Sequence, residues 1–457
     1  MKRKVGGLMQ IPGKKRRVPL PRILTLGFLV LILIGGLLLM LPLATRSGHT
    51  TPFIDAIFTA TSATCITGLT TVNTAVHWSL FGQSVILALI EIGGLGFMTF
   101  SVLPFVLLKR RVDLTTRLLI KESLNFEKLA DVSSVMKYVI GLSLAIQSLG
   151  AALLFIDFYP HYGFSRGLFM SIFHSVSAFC NAGFDLFGNS LESRPNDVYL
   201  LLVISALVIA GGLGFLVWRD LLLFNRRKRL SLHTKLALST TGVLLAGGFV
   251  FFLLTEDNLA VLAPHVSTGN RLINTFFLAV TPRTAGLTTI PYSEISIAGI
   301  LLTIVLMFIG GTPGSTAGGI KTTTLGLLTL QTWAVLCGNR DVEFGHRRFS
   351  DQNILRALML VFISLTLVIV AGVILTATET IPTRYGLEYV IFEVISAFST
   401  AGMTMGLTPH LTVIGKLIIM LLMFLGRVGI YTVMFTVLNA SHPRKGYRYP
   451  AENVMLG

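Results

Sequence analysis

Apolar residues in this chain form long unbroken blocks, not the alternating or 3.6-residue patterns of a half-buried strand or a surface helix. Uncharged apolar runs cover 23–45, 138–156, 198–218, 236–255, 295–320 and 357–378, each near or above the ~20 residues with which a helix crosses about 30 Å of hydrocarbon. Two more, 80–108 and 417–440, hold one internal charge each, Glu91 and Arg427. The pattern predicts eight spanning helices. The first run is too long for a signal-peptide core and is followed by Arg46, not a small-residue cleavage site, so it is expected to remain as a helix.

Between these runs lie apolar segments too short to cross: 52–63, 167–179, 271–281 and 389–398, roughly three helical turns each. Every one leads into the same kind of turn: Ser62-Ala63-Thr64-Cys65-Ile66-Thr67-Gly68, Ser177-Ala178-Phe179-Cys180-Asn181-Ala182-Gly183, Val280-Thr281-Pro282-Arg283-Thr284-Ala285-Gly286 and Ser396-Ala397-Phe398-Ser399-Thr400-Ala401-Gly402. The closing glycines recur at intervals of 115, 103 and 116 residues. A second echo follows each after 24 to 28 residues: Gly93-Gly94-Leu95-Gly96, Gly211-Gly212-Leu213-Gly214, Gly310-Gly311-Thr312-Pro313 and Gly426-Arg427-Val428-Gly429. Paired echoes in fixed order mark a repeated unit. Each unit reads as a spanning helix, a re-entrant helix, a turn and a second spanning helix. The expected fold is an all-α membrane protein of eight transmembrane helices, in four fused repeats (23–110, 138–229, 230–340 and 357–440) around a central pore. Between and beyond them fall a basic N-tail (1–22), two linkers (111–137 and 341–356) and a C-tail (441–457).

Composition agrees with a lipid solvent: 53% hydrophobic and only 13% charged residues, a mean hydropathy of +0.76, against about 25% charged in globular domains. The net charge of +16 raises the question of nucleic acid. Yet 28 of the 37 Lys and Arg fall in five short segments, the N-tail to Arg22, 109–137, 219–235, 340–356 and 444–448. Basic residues scattered over loops between spans follow the positive-inside rule, whereas a nucleic-acid binder gathers them on one folded face. Those loops and both termini are therefore expected in the cytoplasm, with the four turns on the outer side of a plasma-membrane protein.

Non-helical backbone at membrane depth is tolerated only where protein buries it or where it lines a watery cavity. Four such turns around one axis would present carbonyl dipoles in place of an alkali ion's hydration shell, with the partly negative ends of the re-entrant helices adding to the attraction. The candidate cation-binding residues are Thr64, Cys65, Ile66, Thr67 and Gly68; Cys180, Asn181, Ala182 and Gly183; Arg283, Thr284, Ala285 and Gly286; Ser399, Thr400, Ala401 and Gly402. Glycine closes each turn because a Cβ would block the backbone angle or approach required.

Within 295–320, five glycines and a proline fall in the ten residues Gly310, Gly311, Thr312, Pro313, Gly314, Ser315, Thr316, Ala317, Gly318 and Gly319, closely followed by Lys321. An ordinary loop between two short spans is one reading. A full span on either side would upset the four-unit alignment, so a broken inner helix with an intramembrane loop is expected. Arg427 lies eleven residues beyond Lys416 and thirteen before Ala440, about 16 Å deep at 1.5 Å per residue. Intramembrane charge marks function by default, and a fixed positive charge beneath the turns would hasten the exit of a cation. The alternative is an Arg kept for packing. Glu91 could pair with it or stand protonated.

Other resemblances dissolve on spacing. The string 314–322 imitates a phosphate-binding loop, but its Lys does not follow the Gly directly and no strand precedes it. Gly163-Phe164-Ser165-Arg166-Gly167 has the GxSxG form without the strand-to-helix turn that form requires. None of the nine His is followed by Glu, and the odd count of three Cys is expected to leave free thiols.

The four helix–pore–helix units, the single glycine per turn, Arg427 in the last inner helix and Gly311-Thr312-Pro313-Gly314-Ser315-Thr316-Ala317-Gly318-Gly319-Ile320-Lys321 together resemble the Trk/Ktr/HKT superfamily of potassium transporters, nearest to its bacterial KtrB-type membrane subunits, from about Pro19 to the C-terminus. The resemblance implies a homodimer with one pore per protomer and a cytosolic RCK-type regulatory ring (KtrA/TrkA-like) that binds ATP or ADP. It also implies that 310–321 is a gate, that the turns select K+, and that no enzyme activity or cofactor is involved. In its plant branch a Ser at the first turn glycine goes with sodium preference, so four glycines imply potassium. Whether Na+ acts as an activating or a coupled ion stays open. The alternative class is an alternating-access secondary transporter, which a parallel four-unit echo disfavours.

Overall fold

The computed structural model describes residues 20–100, 132–256, 268–430 and 432–433. Residues 1–19 of the expected N-tail, most of the linker 111–137, the C-tail and the distal parts of the spans 80–108 and 417–440 lie outside them. What is described is mostly helical.

The first unit comprises α1 (Leu20–Leu39), the short α2 (Phe53–Thr64) and α3 (Leu80–Phe100). In the second, α4 (Val132–Cys180) is continuous except at Gly163, where φ 72° and ψ −176° separate the outer helix from the short one. The GxSxG string is therefore a turn between two helices. Then come α5 (Val198–Gly212) and α6 (Phe215–Leu222), which meet at 97°. The third unit has α7 (Leu232–Thr255), the short α8 (Thr268–Val280), α9 (Ile297–Phe308) and α10 (Thr322–Leu336). The fourth has α11 (Asp351–Thr378), the short α12 (Leu387–Ser399) and α13 (Val413–Val428). In the basic linker a two-stranded hairpin forms, β1 (Glu343–Phe344) against β2 (Arg347–Arg348), which the apolar pattern gave no reason to expect.

By length and apolarity α4, α7 and α11 can each cross a membrane, as can the bent α5–α6 pair; α1, α3 and α9 carry shorter apolar stretches. Helices overrun the apolar blocks where polar flanks supply a cap. Thus α7 begins at Leu232 because the Ser231 hydroxyl accepts from the Thr234 amide at 3.2 Å. The outward faces stay apolar and open, as at Leu33 and Leu37 of α1 and Phe362 and Ile369 of α11. Such faces are stable only against lipid.

Between units, α3 packs on α4, α5 on α8, α9 on α12 and α13 on α2, so the four units follow one another in a closed ring. Among the described residues the core has one large cluster around Trp78, Phe158, Phe173 and Phe179, another around Phe252, Tyr292, Phe392 and Phe398, and a small one of Leu327, Ala334, Val342 and Ala357. One device fixes the start of two inner helices. Glu256, just past α7, accepts from the Ser296 hydroxyl at 2.5 Å and amide at 3.2 Å, while Ser296 caps α9 through the Gly299 amide at 3.0 Å. Glu379, just past α11, holds the Thr412 hydroxyl at 2.5 Å and amide at 2.8 Å, and Thr412 caps α13 through Gly415 at 3.2 Å.

Candidate ion pathway

Each short helix ends in a left-handed residue two positions before its turn glycine: Ile66 (φ 52°), Asn181 (φ 57°), Thr284 (φ 68°) and Thr400 (φ 54°). Three of the ends are Schellman motifs. The Ile66 amide donates to Ala63 O at 3.1 Å and that of Thr67 to Ser62 O at 2.8 Å; Asn181 and Ala182 bond to Ala178 O and Ser177 O at 3.1 and 2.8 Å; Thr400 and Ala401 bond to Ala397 O and Ser396 O at 3.1 and 2.8 Å. The third differs by one register, with Ala285 donating to Thr281 O at 3.0 Å. A left-handed non-glycine residue costs about 1–2 kcal/mol, and the repetition of that cost four times shows how closely the backbone path is specified. Side chains at the helix ends close the turns: the Ser62 hydroxyl accepts from the Gly68 amide at 3.0 Å, Ser177 donates to Phe184 O at 2.6 Å, and Thr281 donates to Leu287 O. Ser62 and Ser177 hold the recurring Ser position of the echo, whereas Thr281 lies one residue past the corresponding Val280.

The turn glycines follow at φ 94°, 70°, 76° and 80°. A Cβ built at Gly68 would lie 2.6 Å from Ala182 O, one at Gly183 would lie 3.2 Å from Ala285 O, one at Gly286 would lie 2.7 Å from Ala401 O, and one at Gly402 would overlap Thr67 O. Each glycine thus faces the carbonyl of the next turn, in the order one, two, three, four and back to one. The candidate residues of all four turns are brought together.

The second set of glycines lies directly beneath. A Cβ at Gly93, Gly211 or Gly426 would overlap the carbonyl of Thr64, Phe179 or Phe398 respectively, the end of the short helix in the same unit. In the third unit Gly310 meets Gly318 O instead, because residues 309–321 leave the helix altogether. The ends of this loop are pinned by a bridge between Ile309 and Ile320 and by the Thr322 amide on Gly311 O at 3.0 Å.

The loop fills the break between α5 and α6. Thr312 donates to Gly212 O through its amide at 3.0 Å and its hydroxyl at 2.6 Å. Thr316 donates to Gly211 O through its amide at 3.4 Å and to Phe179 O through its hydroxyl at 3.1 Å. In return Gly314 O accepts from the Phe215 amide at 3.0 Å. Gly318 and Gly319 press against Ser399 and Thr400 of the fourth turn, and Lys321 Nζ donates to Ala317 O at 2.7 Å.

Arg427 is buried. It donates to Gly93 O at 2.6 Å, to Gly94 O at 2.7 Å and to Thr316 O of the loop. The carboxylate considered as its partner turns elsewhere: Glu91 accepts from Gln147 Nε2 at 2.8 Å and faces the Cys180 thiol at 3.7 Å. Arg283 points away from its turn toward Thr241 of α7, 3.4 Å from the hydroxyl, beside a small cavity edged by Gly212 and Gly311. All three cysteines are free, Cys65 and Cys180 buried and Cys337 exposed.

The sequence model of the TrkH family, described as cation transport proteins, matches residues 23–445. The chain belongs to this family. It is a membrane-embedded transporter and not an enzyme, and the resemblance read from its motifs is borne out. Among relatives of the TrkH family, the potassium/sodium uptake protein NtpJ of Enterococcus hirae is 52% identical over 451 residues, 98% of this chain and 100% of the relative. The Ktr system potassium uptake protein B of Bacillus subtilis is 41% identical over 438 residues, 96% of each. The crystal structure of the potassium transporter TrkH from Vibrio parahaemolyticus shares the fold, with a TM-score of 0.73 at 18% identity over 94% of this chain and 86% of that one.

Proposed function

We propose that this protein is the potassium-translocating subunit of a bacterial uptake system. Eight spanning helices in four repeats surround one pore, both termini lie in the cytoplasm, and K+ passes through the ring of turns. The observation that carries the reading is the closed cycle of turn glycines, each against its neighbour's carbonyl. Carbonyl dipoles from four sides can stand in for the water lost by an entering alkali ion. Glycine at all four positions, together with two relatives named for potassium uptake, favours K+. The relative named for potassium and sodium makes Na+ the natural second ion, as activator or coupled partner.

Beneath the ring, residues 310–321 form the gate. Arg427 serves it twice, holding the loop at Thr316 and the first inner helix at Gly93 and Gly94, while its charge discourages a cation from resting there. Two copies of the chain, each with its own pore, work with a cytosolic RCK-type ring whose ATP or ADP state moves the gate.

The test is uptake of K+ and Na+ by reconstituted vesicles, with the sodium gradient varied. Gly402→Ser places a side chain onto Thr67 O, and a Cβ at a left-handed angle costs about 1–3 kcal/mol. The K+ preference should fall by roughly 30-fold, the equivalent of ~2 kcal/mol. A folded variant with unchanged affinity and preference would overturn the filter reading.

A further inference from the structure

We infer that His174 and Glu393 are positioning residues that hold the outer lips of two opposite turns, and that K+ discrimination depends on them. This rests on the reading of the turns as an ion filter. The stretch after each turn glycine has no regular structure at 182–185 and 401–404, so its place must be set by side chains or by neighbouring loops.

The position nine residues before each turn glycine lies at the same register of every short helix. It is occupied by Thr59, His174, Phe277 and Glu393. In the second unit, His174 Nε2 accepts from the amide of Leu186 at 3.2 Å, three residues past Gly183. Its Nδ1 lies 2.8 Å from Met170 O. The two partners fix the tautomer, with the proton on Nδ1 and the Nε2 lone pair committed to the lip. The rings of Phe158, Phe173 and Phe187 enclose it, with centroids 5.6, 5.9 and 4.5 Å away.

In the fourth unit, Glu393 does the same work with a carboxyl group. Its Oε1 accepts from the Thr404 hydroxyl at 3.0 Å and from that of Thr408, and the amides of Met405 and Thr408 lie beside it. Met405 is again the third residue past the turn glycine. Both side chains are fully buried, where a polar group tied to one partner has no water to fall back on.

The other two units lack the post. Thr59 spends its hydroxyl on Asp55 O at 2.9 Å within its own helix, and Phe277 offers no acceptor. The third lip is held from its neighbour instead, by the Ser190 hydroxyl on the Thr288 amide at 2.7 Å and the Leu191 amide on Thr288 O at 2.9 Å. Units two and four stand across the ring from each other. The filter is therefore four-fold in its turns but two-fold in its buttressing, and a shift of either braced lip moves the carbonyls on one diagonal only.

The experiment compares full-length variants in vesicles at matched amounts of folded protein. K+ and Na+ uptake is measured over a range of ion concentrations, with Gly402→Ser and the parent alongside. His174→Phe and Glu393→Leu fill the space without an acceptor and should lower the K+ over Na+ preference roughly fivefold, the equivalent of ~1 kcal/mol. His174→Gln and Glu393→Gln keep an acceptor oxygen and should recover most of it. Phe277→Leu, at the same register without a post, should keep the parental preference. Should either apolar variant not be recovered folded, His174→Asn or Glu393→Asp, which slacken the same bonds by shortening the side chain, takes its place with the same two outcomes. Parental preference in the folded His174 and Glu393 variants, with preference lost in Gly402→Ser, would overturn the posts and leave the filter standing. Parental preference in all of them would overturn the filter reading itself.

Discussion

Gly93-Gly94-Leu95-Gly96 and Gly211-Gly212-Leu213-Gly214 are the same tetrapeptide at corresponding places in two units, yet the first lies inside the continuous α3 and the second ends α5 and bends the chain by 97°. Their first glycines do the same job, giving room to the carbonyl at the end of the short helix. The difference lies in what meets the next carbonyls. Gly93 and Gly94 face the guanidinium of Arg427, which needs only oxygen atoms and leaves the helix intact. Gly211 and Gly212 face Thr312 and Thr316 of the loop, and the freed Phe215 amide finds Gly314 O. A helix break in lipid is affordable only where another segment replaces every lost bond. Here the loop and Trp218, whose Nε1 donates to Ala210 O at 2.8 Å, supply partners for the carbonyls of the broken turn, and Gly214 at φ 85° provides the angle. Local sequence permitted both conformations, and tertiary contacts chose between them.

Removing the loop is the strongest way to break this contrast. Deletion of 312–317 takes away the partners of the second tetrapeptide and the material beneath the turns together. K+ flux in vesicles should rise at least roughly tenfold, the worth of ~1.4 kcal/mol. A folded deletion that conducts no faster than the parent would make the segment a passive linker.

Arg427 tests the other member of the pair. Arg427→Ala and Arg427→Gln both remove the charge, and Gln keeps some hydrogen bonding for Gly93 O, Gly94 O and Thr316 O. Each should change the apparent K+ affinity while the protein still assembles, with thermal stability lowered by about 1–3 kcal/mol for the lost bonds to a charged group. Lower stability with parental ion affinity would assign Arg427 to packing alone.

Gly214→Ala sharpens the comparison at one atom. A Cβ there would lie 3.0 Å from Pro313 O on a left-handed backbone, a strain of about 1–3 kcal/mol. Gly212→Ala meets only Asn181 Nδ2 at 3.6 Å and should be tolerated. Equal melting temperatures for the two variants would show that the bend does not require its glycine. The smallest expected effect is that of Thr312→Val, which removes one hydroxyl bond to Gly212 O and keeps the amide bond. It should loosen the loop by about 1 kcal/mol and raise basal flux up to roughly fivefold; flux indistinguishable from the parent would place that hydroxyl outside the gate's closure.

The four turns and the loop were legible in the sequence because a backbone that must turn at membrane depth needs small residues at fixed places, and the chain states them four times. The short helices were found within two or three residues of their ends, as with 52–63 against Phe53–Thr64. Three things were not legible. The 97° bend was hidden in an unbroken apolar run, the destination of Arg427 depended on carbonyls 333, 334 and 111 residues away, and nothing in the sequence singled out His174 and Glu393, two polar residues in apolar helices. The bend and Arg427 take partners 100 or more residues away, and those of His174 and Glu393 lie 11 to 15 residues on, past the turn; no periodic side-chain pattern announces either kind.

Arg427 also imposes an order on assembly. A ribosome delivers Gly93 and Gly94 first, the loop with Thr316 much later, and Arg427 close to the end; the Lys416–Asp55 ion pair, 2.7 Å long, likewise joins the last inner helix to the first short one. Until α13 is inserted, the nascent protein has an open seam between its first and fourth units and a loop without its tie to Arg427. Arg427 is thus made after every part of the loop it holds, so a product that stops before Val413–Val428 would keep all four turns and lose the guanidinium that ties its loop to the first unit.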